Sequence, residues 1–156
     1  MRAGINLLSA TVECEIAVTN VGDAAAEGVR LGVKLISAHA GQDAELGEFV
    51  AQPVPRPAAP PFALAPGETR AVRAVAVLPR AGIRAIEAAG RPIFFPTLAV
   101  NALYRAADGV DGQTAQAFAV GIERPDSAKL APFRLDQPVS AATNVAARPH
   151  AERAAR

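Results

Sequence analysis

From Thr11 to Thr19 the chain alternates without a break. Val12, Cys14, Ile16 and Val18 fall at every second position, with Thr11, Glu13, Glu15 and Thr19 between them. In an extended chain successive side chains point to opposite faces, so only a strand sorts these apolar and charged groups onto separate sides. Asn20-Val-Gly-Asp23 follows, and its Asn, Gly and Asp tolerate or stabilise turn backbone. After a small-residue bridge, Ala24 to Gly28, a second alternating run sets Val29, Leu31, Val33 and Leu35 against Arg30, Gly32 and Lys34. Pro66-Gly67 is a β-turn, with proline suited to its second position and glycine to its third. It opens a strand from Thr69 to Leu78 in which alanines leave the buried face undecided. Either Val72, Ala74, Ala76 and Leu78 or Arg73, Val75 and Val77 face inward.

The remaining segments fit between these strands. Ile5 to Leu8 reads as a short edge strand. Gly41 to Val50 changes period: Leu46, Phe49 and Val50 stand opposite Asp43, Glu45 and Glu48, as on one or two turns of helix with a solvated acidic face. Pro53 to Pro61 holds too many prolines for a helix or a central strand and reads as an extended crossover. Ile83 and Ile86 at helical spacing, with Gly90 and Pro92 beyond, predict a short helix over Ala81 to Ala89. Ile93 to Tyr104 is a long apolar strand bent at Pro96, Asp108 to Gly112 a hairpin loop, and Gln113 to Ile122 the last strand. The expected fold is therefore all-β, an immunoglobulin-like sandwich of about seven antiparallel strands with short connecting helices, over residues 1–124. Residues 125–137 are expected to lie extended on it through Leu130, Phe133 and Leu135. Residues 138–156, polar and alanine-rich without periodicity, are expected to be a disordered tail.

Asn20, Gly22 and Asp23 after the first strand, then Leu64, Pro66, Gly67, Glu68 and Thr69 opening a later one, resemble the CARDB group and related bacterial immunoglobulin-like modules. The resemblance covers roughly residues 10–123. It implies a seven-stranded sandwich serving as an extracytoplasmic spacer or adhesion-related module. The whole chain is similar to uncharacterised proteobacterial proteins in which such a domain follows an N-terminal membrane helix. The proline-rich crossover and the segment around Ile86 depart from the simplest module.

Residue chemistry narrows the function mainly by exclusion. A formal net charge of +1 provides no field to attract nucleic acid. Tyr104 is the only tyrosine and tryptophan is absent, leaving few platforms for stacking bases or sugars. Tyr104 is expected to use its hydroxyl on backbone at a strand corner. Cys14 has no partner for an internal disulfide, and its place on the apolar face predicts an inert, buried thiol. His39 reads as a loop or capping residue and His150 as part of the tail. Two histidines and one cysteine so far apart do not make a zinc site. Asp108 and Asp111 are too few carboxylates for calcium, which takes about six to eight oxygens. No nucleotide, zinc-protease or serine-hydrolase motif occurs.

No catalytic residue, cofactor or small-molecule ligand is therefore expected, and no apolar run reaches membrane-spanning length. The expected role is a non-enzymatic spacer or protein-interaction module of a bacterial envelope-associated protein, meeting partners through loops or a sheet edge. The alternative is a chaperone or assembly-type subunit holding a client at an exposed edge strand. The location follows from what precedes Met1: the cell envelope if a membrane helix stands upstream, the cytoplasm otherwise.

Overall fold

The computed structural model describes residues 1–137, 140–150 and 154–155, the last two and residue 140 by backbone alone. The chain begins as a hairpin of β1 (Arg2–Ile5) and β2 (Ser9–Thr19). Asn6 makes the bend, its Oδ1 accepting from the backbone N–H of Leu8 at 2.7 Å and of Ser9 at 2.9 Å. The alternation in β2 is realised as expected. Val12 and Cys14 are buried and Ile16 and Val18 half-buried, while Glu13 and Glu15 are exposed. The chain then crosses to β3 (Ala26–Ser37), passes through α1 (Gln42–Ala51) and the proline-rich segment, and reaches β4 (Phe62–Leu64), which pairs back on β3. β5 (Thr69–Pro79) returns to the first sheet and pairs with β2.

The two turns singled out in the sequence lock onto each other. Asn20 donates through Nδ2 to the carbonyls of Ala24 (2.8 Å) and Leu64 (3.0 Å), and its Oδ1 accepts from the Gly22 N–H at 3.0 Å. The Asn20 backbone N–H donates to the Glu68 carbonyl, and the Gly67 N–H donates to the Asn20 carbonyl. Gly67 sits at φ +77°, as the third position of a type II turn after proline requires. Glu68 closes that turn, its carboxylate accepting from the Ala65 N–H at 2.7 Å. Asn20→Ala should therefore cost about 1–3 kcal/mol, because the part-buried Leu64 carbonyl loses its partner. Asp23→Ala, exposed in the same loop, should stay within about 0.5 kcal/mol in the same urea titration.

Beyond β5 a single 3-10 turn, Arg80–Gly82, leads into a hairpin of β6 (Ile86–Ala88) and β7 (Arg91–Phe94). The helix expected over Ala81 to Ala89 is thus a correction. Ala89 (φ +51°) and Gly90 (φ +73°) form the two-residue turn with both central φ positive that joins twisted antiparallel strands. β8 (Pro96–Ala106) follows a break at Phe95, close to the expected bend at Pro96. β9 (Asp111–Arg124) completes the hairpin across the Asp108–Gly109 turn.

Sheet order then reads β1-β2-β5 facing β4-β3-β8-β9. The chain crosses between the two sheets after β2, after β4 and after β5, as in an immunoglobulin-type Greek key. Those seven strands are the expected sandwich, and the total is higher because of strands that follow. β10 (Ser127–Ala131) pairs with β9, and β11 (Phe133–Arg134) joins β7 and β6 in a small third sheet. Phe133 is buried there with its ring 5.9 Å from that of Phe94, and Leu135 is half-buried against the same core.

The tail reading is also corrected within the described residues. β12 (Ser140–Ala142) pairs with β1, while β13 (Val145–Pro149) and β14 (Ala154–Ala155) pair with β9. The rest of that expectation, over 138–139, 151–153 and 156, lies outside the described residues.

A third layer covers the outer face of the second sheet. The inner face packs Val29, Leu31, Leu35, Leu98, Val100 and Val120 against Val12, Val72, Ala74 and Ala76 of the first sheet. The outer face carries Gly32, Ile36, Thr97, Ala99, Asn101, Ala115 and Ala117, all buried as well. Buried Val54, from the proline-rich segment, lies over Gly32, where any Cβ would come within 3.1 Å of its methyls. Arg30 ties that segment down by donating twice to the Val54 carbonyl, at 3.0 and 2.7 Å. Burial on both faces explains why β8 reads as a continuous apolar run rather than an alternating one.

Candidate functional site

Four places gather the residues with chemical potential. The first is the start of α1. His39 accepts the Gly41 N–H at Nδ1 (3.0 Å), so its Nε2 carries the hydrogen and donates to Glu45 Oε2 at 2.9 Å. Lys34 reaches the other carboxylate oxygen at 3.2 Å. Glu45 is thereby drawn off the solvated helix face where the sequence placed it with Asp43 and Glu48, which do remain exposed. One turn deeper, buried Gln42 accepts from Thr97 Oγ1 at 3.2 Å and bonds the His150 ring through Nε2. His150, read as tail, is brought here because its backbone N–H donates to the Ala117 carbonyl. Gln113 donates to the Val50 carbonyl and to Asn101 Oδ1, leaving Asn101 Nδ2 buried without a hydrogen-bond partner among the described residues. This cluster ties α1 to the sheet. Both ring nitrogens of His39 and the Nε2 of His150 are engaged with neighbouring protein groups.

The ion pairing makes a pH prediction. The hydrogen bond from His39 foremost, then Lys34, holds the Glu45 carboxyl below its ordinary value, against a smaller opposing effect of burial. A carboxyl with a depressed folded pKa contributes stability above its unfolded pKa, and loses it as pH falls through the folded value. Glu45→Gln should therefore be less stable than the parent at pH 7, with the gap closing below about pH 4. Urea titrations at pH 7 and pH 3 read it directly, and an unchanged gap would rule out the charge as its source.

The second place is the apolar side of β2. Cys14 is buried, and burial pushes its thiol above the usual range, which suppresses thiolate. Thiol reagents should modify it only at the rate of unfolding, a result readable by mass spectrometry in native and denaturing buffer.

At the Asp108 hairpin the two carboxylates are used separately. Asp108 accepts the Val110 N–H at 3.0 Å and Asp111 meets Arg105 at 3.4 Å. Among the described residues no cluster of three His, Cys, Asp or Glu could hold a metal ion. Tyr104 serves through its ring, which lies over Gly112 so closely that a Cβ there would clash with it. Glycine under an aromatic ring is a cross-strand packing device, a different use from the hydroxyl corner expected.

The fourth place is the margin of the first sheet. β5 runs eleven residues in unbroken antiparallel register with β2, from Thr69 opposite Thr19 to Pro79 opposite Ser9. Its inner face is Val72, Ala74, Ala76 and Leu78, which settles the choice the sequence left open. No strand pairs on its other side among the described residues. Val75 and Val77 point outward at 59% and 54% exposure, high for valines in register within a sheet. The remaining margins of the two large sheets, among the described residues, are made by short strands: three residues each in β4 and β12, five each in β10 and β13, and two in β14. Short outermost strands are a common protection against unwanted pairing, and β5 lacks it. On the same sheet a shallow groove of about 340 Å³ lies between Arg2, Thr11, Glu13 and Thr143, floored by glycine and alanine.

Comparison with protein-family models, with curated proteins and with solved structures finds no match for this chain. Among the described residues no helix is long and apolar enough to cross a membrane.

Proposed function

We propose that this chain is a non-enzymatic protein-interaction module that receives an extended segment of a partner along β5. The observation that carries the reading is the long, regular edge of that strand, unpaired among the described residues, with two valines exposed on it. An edge strand presents a row of unpaired N–H and C=O groups, so an added strand gains main-chain hydrogen bonds at once, with its alternate side chains resting on Val75 and Val77. His39, His150, Glu45 and Cys14 are held in the fold's own contacts, which leaves this surface as the part with capacity to spare. The resemblance to CARDB modules would set such an interaction in a bacterial envelope-associated spacer. The same edge would equally suit an assembly subunit that holds a client strand, since β5 is bulge-free and can template several consecutive residues.

A seven-residue neutral probe, Val-Thr-Val-Thr-Gln-Thr-Gln, tests the reading by amide exchange. On binding, the β5 amides that point away from β2 should gain protection, while those of β8 stay as they were. Protection confined to other surfaces, or no binding at millimolar peptide, would refute it.

A further inference from the structure

We infer that the β5 edge selects an acidic strand: an extended partner segment with apolar residues set against Val75 and Val77 and a carboxylate set against Arg73. The inference rests on the strand-addition reading and names the chemistry of the partner. β5 carries Arg70 and Arg73 and no acidic residue, and Arg80 follows directly at its end. Arg73 is exposed on the outward face in line with Val75 and Val77. Arg70 is exposed at the start of the strand, with its guanidinium 4.6 Å from the centre of the Phe62 ring on β4. It therefore stands at the gap between the two sheets, on the side from which a new strand would approach. None of the ion pairs among the described residues includes Arg70, Arg73 or Arg80.

The strand already paired with β5 shows the pattern that suits it. β2 sets Thr11 against Val77, Glu13 against Val75 and Glu15 against Arg73. A carboxylate opposite Arg73 is thus the arrangement the fold itself adopts on the occupied side, and opposite charges across a strand pair favour pairing while like charges oppose it. A second copy of this chain is a poor occupant by the same reasoning. Two β5 strands laid together would bring four arginines into one ladder, with two more at its ends, and neither strand has an acid to offset them. Charge complementarity points to a partner that supplies its own carboxylates.

The experiment compares three peptides that differ only in charge: Val-Thr-Val-Thr-Glu-Thr-Glu, the same peptide with both glutamates replaced by glutamine, and the same with both replaced by lysine. At low ionic strength the acidic peptide should bind about 3- to 30-fold more tightly than the glutamine peptide, and the lysine peptide more weakly than either. The spread should collapse in 1 M salt, where the screening length falls to about 3 Å. Arg73→Glu, an exposed substitution, should invert the order. Equal affinity of the three peptides, or an order unchanged by Arg73→Glu, would overturn the charge selection while leaving strand addition standing. Failure of every peptide to protect β5 would remove both. Dimerisation of the unliganded chain through β5, seen by sedimentation and lost in Val75→Lys, would show that a second copy is the occupant and overturn the inference.

Discussion

Phe94→Ala should cost about 3–5 kcal/mol, as expected for deleting a fully buried aromatic ring. Phe94 is 1% exposed and ends β7, where its ring meets Phe133 from β11. That contact closes the small third sheet over one end of the sandwich, so the substitution removes core packing and the anchor of the segment after β10 together. Phe95, the next residue, is 38% exposed and lies outside any strand, so Phe95→Ala should cost far less, about 1 kcal/mol or below. Paired urea titrations measure the difference. Similar small losses at both positions would mean that the Phe94–Phe133 contact does not hold the end of the sandwich together.

Ala99→Lys should be as damaging, for a reason that discriminates between two architectures. In a two-layer sandwich the outer face of a central strand meets water, and a lysine there would be tolerated. Here Ala99 is 2% exposed on the face covered by α1 and the proline-rich segment, and it stands directly opposite Lys34. A lysine would be buried beside Lys34, with the nearby Glu45 carboxylate already shared by Lys34 and His39, a combination expected to cost several kcal/mol. Ala71→Lys on the outer face of β5, which is exposed, should change stability by no more than about 0.5 kcal/mol. If Ala99→Lys folded as well as Ala71→Lys, the third layer would not exist in solution.

What could be read from the sequence was what local chemistry decides. The alternation of β2 and the turns at Asn20 and Pro66-Gly67 depend on a few adjacent residues, and they stand where the pattern put them. The helix over Gly41 to Val50 was legible from three apolar residues at helical spacing, and so were Asp43 and Glu48 on its exposed face, but the use made of Glu45 was not. Glu45 is half-buried because Lys34 and His39, from elsewhere in the fold, reach it. Ile83 and Ile86 misled because a three-residue spacing also occurs by chance, whereas the Ala89-Gly90 turn that overrides it needs a positive φ on alanine, which its residue type does not advertise. The strands β12 and β13 carry little apolar content, with Val145 the buried residue of β13. They are held by backbone pairing to β1 and β9, to which hydrophobic periodicity is blind. The candidate site was illegible for a related reason. Alternating alanine and valine fit β5 equally well in either orientation, and whether a strand lies at a sheet margin depends on pairings made far along the chain.

The claim that matters most is that β5 is an open edge, and amide hydrogen exchange of the unliganded protein tests it residue by residue. Along β5 protection should alternate: amides bonded to β2 exchange slowly, and those pointing away exchange orders of magnitude faster, whereas β8, paired on both sides, should be protected throughout. Uniform slow exchange from Thr69 to Leu78 would show the edge already covered, and the proposed interaction surface would be lost with it.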